Sequence, residues 1–349
     1  MTREDRILFL STRQDFLPRH QEEVEALCRG REVAWERLAA AAERQGVLPI
    51  AGHNLRRCQL DFPPGIAARL ELAVFESAAV RERDADRLAA AIPRLREVAL
   101  DVMLLKSAAL GLLVYREPWV VTSRDIDLAL RPGPGWELEK GEAVRLELYA
   151  NGIECDLGGH HDVTMNGVLP IGFERIWQDA LPVRFRGAEA WRMSDEDLLI
   201  SLAVNACRKR FFRLKGLFDL AETVARIPLD WRLLVERARA GHCEGIVYAA
   251  LLAARETLGC ELPAGALEAL RARIPRPRAR LLRALVAGFL RYGSVVEGRG
   301  ESLLLALSYA SFRLPEAWRS FRYSLAHPPP HREPEPDVWL TPPATSTRS

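Results

Sequence analysis

Two aspartates, Asp125 and Asp127, are the residues of this chain whose types and spacing most suggest chemistry. Ile126, Leu128 and Leu130 alternate with them, so a strand here would place both carboxylates on one face. Neighbouring carboxylates repel each other unless a positive charge lies between them. Mg²⁺, which proteins bind through one or two carboxylates together with substrate phosphates, supplies that charge. The spacing predicts a Mg²⁺ or Mn²⁺ site, and the simpler alternative is a solvated acidic strand face.

A possible phosphate site precedes these aspartates. Residues 100–105 are apolar and predict a buried strand, and residues 108–114 predict a short helix. The N-terminus of a helix offers free backbone N–H groups and the positive end of the helix dipole, which together favour phosphate. Ser107 could cap this helix and also donate to a phosphate oxygen, and Lys106 would add a positive charge. The alternative is a capping serine and a strand-end lysine that bind no ligand.

A third carboxylate, Asp156, lies among apolar neighbours at residues 153–157. Residues 144–149 alternate apolar and polar side chains, and Asn151-Gly152 is a strong signal for a hairpin turn. We therefore expect two antiparallel strands here, with Asp156 on the second. If that strand pairs beside the strand of the two upstream aspartates, three carboxylates converge, which suits a two-metal site.

In this order the motifs resemble the polymerase-beta nucleotidyltransferase superfamily and, more narrowly, the bacterial family of uncharacterised nucleotidyltransferases. The matching segments are Leu105-Lys106-Ser107, Arg124-Asp125-Ile126-Asp127-Leu128 and Cys155-Asp156-Leu157. Further similarity lies at Tyr115 and at residues 35–38, 46–49, 195–199 and 214–220. The resemblance as a whole spans residues 20–230.

The resemblance implies transfer of a nucleoside monophosphate from a nucleoside triphosphate to a hydroxyl acceptor, with release of pyrophosphate. The acceptor would be a small molecule or a protein. The implied catalytic residues, which are also the implied ligands of Mg²⁺ or Mn²⁺, are Asp125, Asp127 and Asp156. The implied nucleotide-binding residues are Lys106, Ser107 and Arg124. Two alternatives stay open: a catalytically degenerate member that binds a nucleotide or a partner, and a helical interaction protein without nucleotide binding.

The chain departs from the family pattern at three places. Residues 131–142 are rich in Pro and Gly, which argue against the helix that the family places there. Gly158 follows Asp156-Leu157 where the family commonly has a histidine, and Asn205 stands where the family often has one. The short connection at 131–142 predicts that one wall of the substrate cleft is missing.

A small sheet is needed to hold these motifs, and most of the remaining chain has helical periodicity. We predict an α+β fold in which a small mixed β-sheet forms a nucleotidyltransferase core between N- and C-terminal helical regions. About four strands are expected. The predicted boundaries are 1–96 for the N-terminal helical region, 97–186 for the core and 187–326 for the C-terminal helical region. Residues 327–349 are Pro-rich and polar, and predict a disordered tail.

Composition limits the classes of partner. The 349 residues carry a formal net charge of +2, so no strong basic field for nucleic acid is expected. Six scattered cysteines without a C-x-x-C pair predict reduced thiols. The N-terminus lacks the features of a signal peptide, and no apolar stretch is long enough for a membrane span. We expect a cytoplasmic protein whose partners are a nucleoside triphosphate and an acceptor that the sequence does not identify.

Overall fold

The computed structural model describes residues 1–30, 32–120, 126–157, 164–165, 167–211 and 213–326. Within these ranges, residues 154, 156, 157 and 324–326 are described by their backbone alone. Arg124, Asp125 and the predicted tail at 327–349 therefore lie outside the described residues, and so does the side chain of Asp156.

The chain begins with five helices in the described N-terminal ranges. They are α1 (Arg3–Ser11), α2 (Pro18–Cys28), α3 (Trp35–Arg44), α4 (Leu48–Arg56) and α5 (Pro64–Glu97). Sequence periodicity predicts two separate helices at 66–76 and 79–98, whereas α5 is one continuous helix of 34 residues. Its buried residues form two groups, Ile66 and Leu70 near its start and Asp84 to Leu95 further on, and the partly buried or exposed residues 71–83 between them stay helical.

A five-stranded sheet follows, with its helices inserted between the strands. The elements in order are β1 (Leu100–Leu104), α6 (Lys106–Leu113), a short 3-10 turn (Pro118–Val120), β2 (Ile126–Pro132), α7 (Leu138–Ala150), β3 (Ile153–Leu157), α8 (Phe173–Gln178), β4 (Leu181–Phe185) and β5 (Ala188–Arg192). The strand order is β3-β2-β1-β5-β4. β1 is antiparallel to β2 and parallel to β5, β2 is parallel to β3, and β4 is antiparallel to β5.

The predicted α+β fold with a small mixed sheet between helical regions is confirmed. The sheet has one strand more than the four expected from the sequence. β5 lies between β1 and β4, so the sheet continues beyond residue 186, where the sequence analysis ends the core. The other region boundaries stay predictions.

The predicted hairpin at residues 144–157 is wrong. Residues 138–150 form α7, and β3 runs parallel to β2 rather than antiparallel to a preceding strand. Parallel neighbours need a crossover connection, which α7 provides. Asn151 caps the C-terminus of α7 and Gly152 follows with φ +76°, a left-handed conformation that commonly ends helices. An Asn-Gly pair suits a helix C-terminus as well as a hairpin turn, and here it ends a helix.

The family helix that the sequence analysis finds missing is therefore present as α7. Four of the five Pro and Gly residues that argue against it occupy positions 132–135, before the helix begins at Leu138. Gly141 in α7 packs against the indole of Trp136, where a Cβ atom would lie only 2.4 Å from the ring nitrogen. The predicted loss of one cleft wall is corrected accordingly.

Eight helices complete the described chain. They are α9 (Asp195–Arg208), α10 (Leu214–Arg226), α11 (Trp231–Ala240), α12 (Glu244–Leu258), α13 (Ala266–Arg271), α14 (Arg276–Tyr292), α15 (Glu301–Ser311) and α16 (Leu314–Ala326). Ser194 caps α9 by accepting a hydrogen bond from the backbone N–H of Asp197, as its spacing predicts. Most of α12 is buried, which makes it the central helix of this region.

Polar contacts join the three parts of the chain. The carboxylate of Asp197, on α9, accepts hydrogen bonds from Arg175 of α8 at 2.7 and 3.0 Å and from Arg237 of α11 at 2.8 Å. The side-chain oxygen of Gln45, at the end of α3, accepts from the backbone N–H of Leu214 at 2.7 Å and so caps α10. The helices after the sheet are thus fixed both to the sheet layer and to the N-terminal helices.

Tyr115 and Asp219, which lie in two segments of the family resemblance, are in contact. The Tyr115 hydroxyl donates to the carboxylate of Asp219, which also accepts from Lys215 at 2.6 Å. The Tyr115 ring stacks on Phe218, with ring centroids 5.8 Å apart. Burial, reinforced by the charge of Asp219, raises the pKa of Tyr115 well above its ordinary value, so the hydroxyl keeps the proton that it donates. This contact fixes the segment after α6 to α10.

Replacing Tyr115 with phenylalanine is expected to lower the free energy of unfolding by about 2 kcal/mol, because a buried hydrogen bond to a charged group is lost. Urea unfolding measures this loss. Tyr149→Phe on the exposed side of α7 is the matched control and should have no effect. If the two variants unfold alike, the Tyr115–Asp219 contact does not contribute to stability.

All six cysteines are described, and none of them forms a disulfide. Burial raises the pKa of the Cys207, Cys243 and Cys260 thiols to about 12, which makes them poor nucleophiles. No helix in the described ranges is long and apolar enough to cross a membrane.

Candidate active site

The candidate site is built at the turn between β1 and α6. Leu105 continues the strand conformation, and its backbone N–H donates to the carbonyl oxygen of Asp127 at 3.2 Å, which holds the end of β1 against the beginning of β2. Lys106 then turns the chain with φ +39°. A left-handed conformation costs a residue with a side chain about 1–2 kcal/mol, and such strain is often concentrated at functional sites.

The central contact of the site is an ion pair between Lys106 and Asp127. The Nζ atom of Lys106 donates to Oδ1 of Asp127 at 2.7 Å. The side chain of Asp127 is 2% exposed and that of Lys106 is 16% exposed. Because a buried carboxylate is costly without a nearby positive charge, this lysine stabilises the charged form of the aspartate. The sequence predicts that Lys106 binds phosphate and that Asp127 binds metal. The structure shows that these two side chains are in contact.

Ser107 is the second residue of α6 and is also only 2% exposed. Its predicted role as the helix cap is wrong, since Leu105 occupies the N-cap position and no side chain caps the helix. The Oγ atom of Ser107 is buried and has no hydrogen-bond partner among the described residues. Most buried polar groups in proteins are satisfied, so a hydroxyl without a described partner at the N-terminus of α6 calls for an explanation.

The third predicted acid lies on the correct strand. β3 pairs directly with β2, and the Cα register places Asp156 opposite Ala129, two positions from Asp127 along the neighbouring strand. The condition for bringing these acids together, that their two strands pair, is thus met, and the pairing is parallel. Asp125 and Arg124 precede β2 and lie outside the described residues, as do His160 and His161.

Asp127 is the described side chain that could bind a divalent metal at this turn. Among the described side chains, no group of three or more His, Cys, Asp or Glu is placed to hold a metal ion. Asp127 supplies one buried carboxylate of the hard-oxygen type that Mg²⁺ prefers, in a place where positive charge is already required. This donor fits a divalent cation, and the contribution of Asp125 and Asp156 stays a prediction.

A cluster of basic residues at the end of α9 and the start of α10 suggests from the sequence either contacts for a triphosphate or a solvated face: Arg208, Lys209, Arg210, Arg213 and Lys215. Lys215, the last of them, pairs with Asp219 at 2.6 Å in the contact that also includes Tyr115. Lys215 is therefore part of the contact that holds α10 to the segment after α6. Asn205, at the position where a histidine was expected, has a buried side-chain oxygen without a hydrogen-bond partner in the described ranges.

Sequence reasoning missed a buried arginine beside α6. Arg81 lies on the inward stripe of α5, between Ser77 and Asp84, and the side chain of Arg81 is 11% exposed. Its Nη2 atom lies 3.6 Å from the position that a Cβ atom would occupy at Gly111 of α6. The available signal was helical spacing: Arg81 and Asp84 occupy the stripe that Leu70 and Leu88 define, where charged residues are unusual.

The mixed sheet carries a site with three features. They are a strained strand-to-helix turn, a buried carboxylate beside that turn and an unsatisfied hydroxyl at the N-terminus of the helix. The chain belongs to the family of uncharacterised nucleotidyltransferases, whose sequence profile matches residues 31–259. Comparison with curated proteins found no match, and comparison with solved structures found none either. Family membership supports a nucleotidyltransferase-like function and leaves the substrates open.

Proposed function

We propose that this chain transfers a nucleoside monophosphate from a nucleoside triphosphate to a hydroxyl group, with pyrophosphate as the leaving group. The observation that carries the proposal is the turn at residues 105–107, where a buried Lys106–Asp127 pair lies next to the unsatisfied hydroxyl of Ser107. A phosphate chain at the N-terminus of α6 would give this hydroxyl a partner. The proposal includes membership of the polymerase-beta superfamily.

In the proposed reaction the acceptor oxygen attacks the α-phosphorus in line, and the bond from that phosphorus to the pyrophosphate oxygen breaks. Asp125, Asp127 and Asp156 would hold Mg²⁺ or Mn²⁺, which neutralises the phosphate charge and lowers the pKa of the attacking hydroxyl. Asp156 would take the proton of the acceptor. Ser107 and Lys106, together with Arg124, would bind the phosphates.

Lys106 has two roles in this scheme. In the protein without ligand it neutralises Asp127 across 2.7 Å. With a cation on this carboxylate, the ammonium group of Lys106 would bind phosphates held at the same turn. Lysine suits this exchange because its charge is carried on a flexible stem with three donors.

A catalytically degenerate member is expected if the helix after β2, one wall of the substrate cleft, is missing. Because α7 occupies that connection, this reason to expect a degenerate member is removed. Nothing in the described residues independently favours the other alternative, a helical interaction protein, and the family match argues against it. The family match and the presence of α7 therefore favour the transferase among the three alternatives.

A thermal-shift panel tests the proposal. Each nucleoside triphosphate is added with Mg²⁺ or Mn²⁺ to the wild type and to the Asp125→Asn/Asp127→Asn variant. A ligand at 100 times its dissociation constant should stabilise the wild type by roughly 2.7 kcal/mol. We expect a metal-dependent shift with at least one nucleotide and none in the variant. No shift with any nucleotide would refute the proposal.

A further inference from the structure

Two buried polar atoms near α6 have no hydrogen-bond partner among the described residues. They are Oγ of Ser107 and Nη1 of Arg81, on α6 and α5 respectively. An unsatisfied donor in a protein interior costs roughly 1–3 kcal/mol, so two unsatisfied donors, one on α6 and one beside it, call for an explanation. A ligand that accepts hydrogen bonds from both groups would provide one.

Arg81 is not fully neutralised by its own helix. Its nearest carboxylate in the described ranges is Asp84, whose Oδ2 atom lies 3.9 Å from Nη1, too far for a hydrogen bond. The same carboxylate is shared with Arg83 at 3.7 Å and Arg87 at 3.9 Å. Burial lowers the pKa of Arg81 and Asp84 raises it in part. Three guanidinium groups around one carboxylate leave an excess of positive charge.

Gly111 connects this charge to the candidate site. Ser107 and Gly111 are four residues apart in α6, so they lie on the same side of the helix, about one turn from each other. Nη2 of Arg81 is 3.6 Å from the Cβ position of Gly111, and Gly111 itself is exposed. Gly111 thus leaves an exposed place without a side chain next to Arg81, one helical turn from Ser107, and we call this place, defined by Gly111 and Arg81, the Gly111 notch.

We infer that Arg81 is a further phosphate-binding residue. The polyphosphate that Ser107 and the N-terminus of α6 bind extends to the Gly111 notch, where Arg81 contacts it. This inference rests on the proposed function. A guanidinium group suits the role because it offers parallel N–H donors to two phosphate oxygens. The first turn of α6 contains no acidic residue that would repel the anion. The ligand class is the triphosphate of a nucleotide.

A purely structural role for Arg81 would be to neutralise Asp84. Arg83 provides the matched control, because it contacts the same carboxylate at a similar distance while its side chain is 58% exposed. A structural role predicts that loss of either arginine has the same effect on anion binding. A phosphate-binding role predicts an effect for Arg81 alone.

The test measures the affinity of the full chain for inorganic tripolyphosphate by calorimetry, without divalent metal. We expect Arg81→Met to bind at least about tenfold more weakly than the wild type, and Arg83→Met to bind within about twofold of it. Equal affinities for the wild type and Arg81→Met overturn the inference. Should Arg81→Met fail to fold, Arg81→Lys replaces it: it keeps the charge without the paired donors, so we still expect weaker binding, and wild-type affinity overturns the inference.

A second pair of variants tests the notch without changing any charge. Gly111→Leu fills it and should weaken tripolyphosphate binding, whereas Leu112→Ala, at the neighbouring exposed position of α6, is the matched control and should leave binding unchanged. Unchanged binding in Gly111→Leu contradicts the inference. If the wild type itself binds neither tripolyphosphate nor any nucleotide, the proposed function and this inference both fail. If the wild type binds tripolyphosphate or a nucleotide, and the Arg81→Met and Gly111→Leu variants bind tripolyphosphate as tightly as the wild type does, the inference fails and the proposed function stands.

Discussion

Replacing Asp127 with asparagine is expected to reduce nucleotidyl transfer by at least about a thousandfold. The substitution keeps the size of the side chain and removes its charge, so metal stabilisation of the developing phosphate charge, which is worth several kcal/mol, is lost. Release of pyrophosphate from nucleoside triphosphates measures the effect, with small-molecule and protein extracts offered as acceptors. Retained activity in this variant would contradict the assignment of Asp127.

Asp101 provides the control for this experiment. It lies on β1, and its side chain pairs with Arg131 of β2 at 2.8 Å. Arg131 is four residues from Asp127 along β2. Arg131 also stacks on Trp177, with its guanidinium carbon 4.6 Å from the ring centroid. Asp101→Asn therefore changes an ion pair of the same sheet away from the turn at residues 105–107. We expect it to leave transfer unchanged.

Replacing Lys106 with methionine is expected to destabilise the protein by about 3 kcal/mol in the absence of metal. The reason is that loss of one member of a buried ion pair leaves the other charge poorly compensated. Methionine keeps much of the length of the side chain, and its backbone must adopt the same left-handed conformation, so the comparison isolates the charge. Chemical denaturation measures the loss, and Lys140→Met on the exposed surface of α7 should cost nothing comparable.

A double-mutant cycle sharpens this second prediction. If Lys106 stabilises the protein mainly through Asp127, then Lys106→Met/Asp127→Asn should be more stable than Lys106→Met alone. Mg²⁺ should recover part of the stability of Lys106→Met, since the cation replaces the lost positive charge, and recover none in the double variant. Additive losses from the two substitutions would show that the pair is not coupled.

Much of the core was predictable because strands and turns leave short, local signals. The apolar run before Lys106 and the alternation around Asp127 depend only on neighbouring residues, and both strands form where the sequence predicts them. The pairing of the strands that carry Asp127 and Asp156 was only a condition for their convergence in the sequence, and the structure meets it. The pairing between Lys106 and Asp127 was not predictable, since nothing in the sequence says that the phosphate-binding and metal-binding residues touch.

The errors have a common physical cause. Asn151-Gly152 suits a hairpin and a helix end equally well, and only the parallel pairing of β3 decides between them. The position of β5 in the sheet depends on a contact with β1 that is distant in sequence. The place of Arg81 beside Gly111 likewise depends on how α5 crosses α6. Local patterns cannot specify such contacts, because they are selected by the packing of the whole domain.

The position of β5 has a consequence for how the protein is made. As the chain leaves the ribosome, β1, β2 and β3 are complete long before residues 188–192 are synthesised, yet the partner of β1 on its other side is β5. Until then the backbone groups along one side of β1 are without their final partners, and an open strand edge invites pairing with another nascent chain. The centre of this sheet is therefore its last part to close, and the interval before closure is when aggregation competes with folding.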